Sequence, residues 1–139
     1  MVTFSLEDIQ LLNAVEAATG AKANDVVKSD NAFIIVVRKG ELGKAIGKQG
    51  SNITRLRKHL GKDVFVVEDS DTVNGFLANV FAPVPLKAVN LVESEGRKIA
   101  VVAVEAKNKG LAIGRGGDKI KRARILAKRK FGIDEVKIQ

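Results

Sequence analysis

Leu6, Ile9, Leu12, Val15 and Ala18 follow the three-to-four-residue spacing that lines one face of a helix. Ser5 stands in front of them as an N-cap, and Gly20 stands where a left-handed residue ends a helix. The period then changes. Ala23 to Lys28 is a weak strand candidate, and Phe33 to Arg38 is an apolar run of the kind found in a buried strand. A short helix over Glu41 to Ile46 leads into a glycine-bracketed loop. A second helix, Ser51 to Leu60, puts Ile53, Leu56 and Leu60 on one face and turns Arg55 and Lys58 away. Val64 to Val67 reads as the last strand, so the predicted order is α-β-β-α-α-β.

The second half begins after Glu68-Asp69-Ser70-Asp71 and repeats that order. A helix over Val73 to Val80 stops ahead of Pro83 and Pro85, which cannot continue it. Strands over Leu86 to Val92 and Lys98 to Val104 flank a turn at Glu93-Ser94-Glu95-Gly96. A short helix, the loop Gly114-Arg115-Gly116-Gly117, a helix to about Lys130 and a strand over Glu135 to Ile138 complete it.

The repetition is explicit in the residues. A shift of 67 positions lays GKAIGKQGSNI on GLAIGRGGDKI, matching Gly43 to Gly110, Ala45 to Ala112, Ile46 to Ile113, Gly47 to Gly114, Gly50 to Gly117 and Ile53 to Ile120. Six matches in eleven positions, flanked by strands, predict two copies of one α+β unit, residues 1–69 and 70–139. The short linker, free of a Gly/Ser-rich tether, predicts that the copies pack together as one rigid monomer.

Charge sharpens this picture. The chain carries +8 overall, but residues 38–62 carry +7 and residues 107–130 carry +9, leaving −8 for the rest. Two basic zones in an otherwise acidic protein point to a polyanionic partner. Cysteine is absent and His59 is the single histidine, which disfavours cysteine-ligated zinc and a Ser/His/Asp triad. His59 is expected on a helix surface with no chemistry. No apolar run reaches the roughly 20 residues of a membrane helix, and MVTFSLEDIQ has no signal-peptide pattern, so a cytoplasmic location is expected.

The loops Gly47-Lys48-Gln49-Gly50 and Gly114-Arg115-Gly116-Gly117 suit a phosphate backbone. Glycines let the chain turn sharply and approach another backbone closely. The helix that follows presents N–H groups and the positive end of its dipole. A P-loop is disfavoured because Gly43 and Gly47 enclose three residues rather than four, and Gln49 stands in place of the magnesium-binding hydroxyl. Nucleotide hydrolysis is a weak reading, and neither an enzyme nor a cofactor is expected.

Two copies of Ile-Gly-x-x-Gly-x-x-Ile between short helices resemble KH domains, and the α-β-β-α-α-β order is similar to their type II form. The stretches FLANVFAPVPLKAV and LAIGRGGDKI resemble the paired KH domains of the NusA transcription termination/antitermination family, in its short archaeal form. The resemblance implies two tandem type II KH domains, each with a three-stranded sheet covered by helices, whose GxxG loops clamp single-stranded RNA. It assigns the clamp to Gly47, Lys48, Gln49, Gly50, Gly114, Arg115, Gly116 and Gly117, with Ile46 and Ile113 lining or supporting the base groove. Ile53 and Ile120 are expected to pack in the core.

Lys44, Arg55, Lys109 and Lys121, together with Arg57, Lys119, Arg122 and Arg124, are candidates for flanking backbone contacts. Lys58, Lys128, Arg129 and Lys130 are expected to be plain surface. The six phenylalanines, without Trp or Tyr, read as core rather than as a stacking platform. The resemblance implies a role in transcription elongation or termination, with the transcription machinery as a candidate partner and direct docking to the polymerase disfavoured. The alternative that stays open is a ribosome-associated or ribosome-assembly RNA-binding protein.

Overall fold

In the computed structural model, which describes residues 4–29 and 31–139, the chain divides into two compact units, residues 4–69 and Ser70–Gln139. Residues 1–3, at the start of the first expected domain, lie outside the described residues. The first unit runs α1 (Leu6–Thr19), β1 (Ala23–Lys28), β2 (Ala32–Val37), α2 (Leu42–Ile46), α3 (Ser51–Leu60) and β3 (Asp63–Glu68). Ser5 caps α1 in a full capping box: its hydroxyl accepts from the Asp8 N–H at 3.1 Å, and the Asp8 carboxylate accepts from the Ser5 N–H at 3.0 Å. Gly20 closes the helix in the left-handed conformation.

The sheet of the first unit has β2 at its centre, antiparallel to β1 and parallel to β3. All six residues of β2 are buried, as its unbroken apolar run requires. Val15, Val26, Ile35, Val37, Leu56 and Val64 form the core between helices and sheet.

The second unit repeats the order with α4 (Val73–Phe81), β4 (Ala88–Ser94), β5 (Arg97–Ala103), α5 (Lys109–Ile113), α6 (Asp118–Phe131) and β6 (Glu135–Ile138). Its sheet order is β4-β5-β6, again with one antiparallel and one parallel pair. Phe76, Leu77, Phe81, Val102, Leu126 and Val136 are almost completely buried. Each large side chain contributes about 1.5–3 kcal/mol by leaving water. Phe76 and Phe131 meet edge to face with centroids 5.6 Å apart.

The β4–β5 hairpin departs from expectation. Glu93 and Ser94 belong to β4, opposite Lys98 and Arg97, and the turn is only Glu95-Gly96, both at positive φ. Two residues at positive φ match the tight turns that follow the twist of a hairpin. At the other end β4 starts at Ala88 rather than Leu86, behind the two prolines.

Candidate nucleic-acid interface

The end of α2 and the start of α3 are joined by one tight structure. The Gly47 N–H donates to the Gly43 carbonyl at 2.9 Å, and the Gly50 N–H donates to the Gly47 carbonyl at 3.1 Å. Between them the backbone passes through Gly47 at φ 78°, ψ 170°, then through left-handed Gln49 (φ 55°) and Gly50 (φ 75°). The loop between α5 and α6 takes the same path. Gly114 N–H donates to Gly110 O at 3.0 Å and Gly117 N–H to Gly114 O at 3.1 Å, with Gly114 at φ 83°, ψ 171°, Gly116 at φ 62° and Gly117 at φ 77°.

The first and last glycines of each loop serve different ends. Gly47 and Gly114 occupy a backbone region open essentially to glycine alone. A Cβ at Gly47 would also lie 2.7 Å from Asn52 Cγ and 2.8 Å from its backbone N. At Gly114 it would collide with the Asp118 carboxylate and approach Lys119 Cβ and N to 2.8 Å. The bare Cα at these positions is therefore used by the protein's own next helix. Gly50 and Gly117 need only a left-handed φ, since an added Cβ meets nothing nearer than 3.8 Å and 4.0 Å respectively. Their open side faces outward.

Asn52 braces the first loop. Its side-chain amide donates to Lys44 O at 2.7 Å, tying the α2 end to the α3 start across the loop. The 67-residue shift puts Lys119 at the matching position, where its ammonium reaches Phe81 O and Ala82 O, each at 3.5 Å, at the end of α4. Burial lowers the Lys119 pKa, with the Arg122 charge acting in the same direction and Asp118 opposing it. Lys119 thus faces inward to α4.

The other residues singled out from sequence separate into groups. Lys48, Lys109, Arg115 and Lys121 are exposed and have no side-chain partner among the described residues. Gln49 and Gly116 sit exposed at the loop tips. Lys44 is exposed with an ion pair to Glu41 at 3.3 Å, and exposed Arg55 donates to Ala18 O at 3.4 Å.

Arg57 and Arg124 hold the last strand of their units. Arg57 bonds Asp63 at 3.0 Å and Val64 O at 3.3 Å; Arg124 bonds Glu135 at 2.6 Å and Val136 O at 3.2 Å. Arg122 pairs with Asp118 at 3.5 Å. Ile46 and Ile113 are 38% and 42% exposed beside the loops, whereas Ile120 is buried and Ile53 packs on the core.

Three residues beside the loops were not picked out from sequence: Asn52, Leu111 and Asp118. Aligning the two copies carries the signal, because Leu111 falls on Lys44 and Asp118 on Ser51. Leu111 is 65% exposed, so the second loop has an aliphatic neighbour where the first has an ammonium. Asp118 puts a carboxylate in the first turn of α6, while α3 has no acidic residue there.

The helices also differ in their caps. α1 and α4 start with side-chain caps, Ser5 and Thr72; the Thr72 hydroxyl accepts from the Gly75 N–H at 3.0 Å. α3 and α6 start on Gly50 and Gly117 with no side-chain cap. The positive ends of these two helices therefore meet the glycine loops without a side-chain acceptor from the cap residue.

Among the described residues, no group of three His, Cys, Asp or Glu could hold a metal ion, and no helix is long and apolar enough to cross a membrane.

The KH domain family model matches residues 9–95. That span includes Gly47–Gly50 and ends ahead of Gly114. The chain is 37% identical to the "Probable transcription termination protein NusA" of Halobacterium salinarum, over 99% of this chain and 98% of that protein. Proteins of the same name from Halococcus morrhuae and Methanococcus vannielii are 35% and 31% identical over 99% of this chain, covering 98% and 79% of their own lengths. The solved crystal structure of APE1850 superposes with a TM-score of 0.91 at 36% identity, over 98% of this chain and all of that one.

Proposed function

Because the chain belongs to the KH-domain family and groups with archaeal proteins named for the termination factor NusA, we propose that it binds single-stranded RNA, without catalysis, in transcription termination. On this reading residues 1–69 and 70–139 are tandem type II KH domains, and each GxxG loop is one clamp on the sugar-phosphate backbone. The observation that carries it is the common path of the two loops, each leading into a helix whose cap residue lacks a side chain.

A phosphate against Gly47–Gly50 meets the positive end of α3, with Lys48 free to neutralise it and Lys44 and Arg55 on flanking phosphates. Gly114–Gly117 acts likewise with Arg115, and Lys109 and Lys121 extend the contact. Phosphate contacts place the strand but carry no sequence information. Bases are met by the apolar neighbours of the loops, Ile46 in the first unit and Ile113 with Leu111 in the second. Joining two clamps in one chain makes the second contact intramolecular and raises affinity above that of either alone.

The test replaces Lys48, Gln49, Arg115 and Gly116 together by Asp. Asp tolerates the left-handed backbone required at positions 49 and 116 better than most residues, and a Cβ at Gly116 meets nothing within 4 Å. The variant is expected to keep its circular dichroism and melting temperature and to lose RNA binding in titrations. A folded variant that binds as before would overturn the clamp. Crosslinking in cells then separates the roles: nascent transcripts support transcription, and ribosomal RNA supports a ribosomal one.

A further inference from the structure

Among the described residues, two other than glycine hold a positive φ: Gln49 at 55° and Glu95 at 53°. Glu95 sits in a two-residue hairpin turn, whose twist asks for positive φ. No turn of that kind accounts for Gln49. It stands at the tip of the first loop, and the matching position of the second loop is Gly116, at φ 62° on the same path. Glycine takes this conformation without steric cost, whereas a Cβ crowds the following carbonyl. The first unit thus keeps a long amide side chain at a position where glycine suits the backbone better.

That side chain is not used inside the protein. Gln49 is exposed, and its amide has no partner among the described residues. At Gly116 an added Cβ meets nothing within 4 Å, so a side chain at this tip leaves the body of its unit. The loop already has groups suited to phosphate, in the positive end of α3 and the Lys48 ammonium. An amide adds something different. It is uncharged and both donates and accepts hydrogen bonds, so it suits a neutral group that does the same. On a strand whose phosphate lies against Gly47–Gly50, the ribose 2′-hydroxyl is such a group, held on the sugar beside that phosphate.

We propose that Gln49 is a specificity-determining residue. Its amide hydrogen-bonds a ribose 2′-hydroxyl and makes the first loop prefer RNA to DNA, while the second loop, bare at Gly116, takes either strand. The inference rests on the reading of the loops as clamps on the sugar-phosphate backbone, and it adds which sugar the first clamp selects. Phosphate contacts alone cannot make that choice, because both polymers carry the same phosphates.

Titrations of the full chain with an RNA oligomer and a DNA oligomer of the same bases, deoxyuridine standing for uridine, test it. With the second loop disabled by Arg115→Asp and Gly116→Asp, the first is expected to bind RNA about threefold to tenfold more tightly than DNA, the effect of one hydrogen bond. Adding Gln49→Gly is expected to bring the two affinities within about twofold by weakening RNA. With the first loop disabled instead by Lys48→Asp and Gln49→Asp, the two oligomers are expected to bind alike. RNA oligomers with single 2′-deoxy substitutions should show one position that matters to the wild-type first loop and not to the Gln49→Gly variant. An RNA preference that survives Gln49→Gly overturns the proposal. So does an equal loss of RNA and DNA, which would mark a phosphate or base contact, and so does an equally strong RNA preference in the second loop. A chain that binds neither oligomer overturns the clamp reading and this inference with it. One that binds both without discrimination overturns this inference alone. Melting curves check that every variant compared is folded.

Discussion

The two glycine loops have the same backbone and different surroundings. Around the first stand Lys44, Lys48, Gln49 and Ser51; around the second, at the same positions, stand Leu111, Arg115, Gly116 and Asp118. Steric constraint explains what stayed the same. Gly47 and Gly114 are packed against the next helix at distances no side chain fits, so the path of the loop is set by the fold of its own unit. The flanking positions face solvent, and their chemistry is free to differ. For the proposed RNA interface the first loop is the more cationic holder of phosphates. The second offers an aliphatic surface to bases and sets a carboxylate beside the phosphate position.

The comparison breaks most visibly at the glycines themselves. Gly47→Ala combines a forbidden backbone region with a collision and is expected to destabilise the first unit by about 3 kcal/mol. Gly50→Ala, with open space around its Cβ, is expected to lose about 1 kcal/mol. Gly114→Ala and Gly117→Ala should show the same order in the second unit. Denaturant unfolding measures all four, and equal losses at first and last positions would contradict the assigned roles.

Exchanging the surroundings comes next in size. Asp118→Ser removes a carboxylate from the phosphate position and is expected to tighten RNA binding by roughly fivefold, about 1 kcal/mol; Ser51→Asp should weaken it by a similar factor. Lys44→Leu is expected to reduce the slope of log affinity against log salt by about 0.7, and Leu111→Lys to increase it by about as much. Titrations at several salt concentrations decide this, and slopes unmoved by either substitution would show that neither position contacts phosphate.

The smallest effect belongs to the junction between α6 and β6. The Lys128 ammonium, 2.6 Å from Asp134, and then the Lys98 N–H hold this carboxyl below its usual range. A depressed folded-state pKa means stability that is present above the unfolded value, near 4, and lost as pH falls through the folded one. Asp134→Asn is therefore expected to destabilise slightly at neutral pH, with the difference from wild type shrinking as pH falls below about 4 and gone only once pH has passed the lower folded-state value. Melting temperatures across that range measure it, and a gap that persists in acid would deny the ionic origin.

How far the sequence spoke for the structure depends on whether the deciding contact was local. Ser5 and Gly20 bracket α1 as read, because capping uses residues within one turn. The turn expected over Glu93-Ser94-Glu95-Gly96 is two residues too long at its start, because Glu is an unusual occupant of a positive-φ turn position and Glu93 and Ser94 look no less turn-like than Glu95. Arg57 and Arg124 look like free helix cations in the sequence, and only the return of β3 and β6 beside them shows what they hold. Asn52 and Lys119 needed the same long-range information, since their acceptors include helix ends far back in the chain. The loops were legible from repetition alone, but the reason for the first glycine was not. It clears room for the protein's own helix.

α1 and α4 finish their first turns with a hydroxyl from within the chain, and α3 and α6 do not. If a nucleotide phosphate settles there, the RNA does for α3 and α6 what Ser5 does for α1: it becomes the last piece of a secondary structure that the polypeptide leaves to another molecule. Tightness of binding and self-sufficiency of the fold are then opposed at these two positions. A side chain that completed the helix from inside would make a sturdier protein and a poorer reader of transcripts.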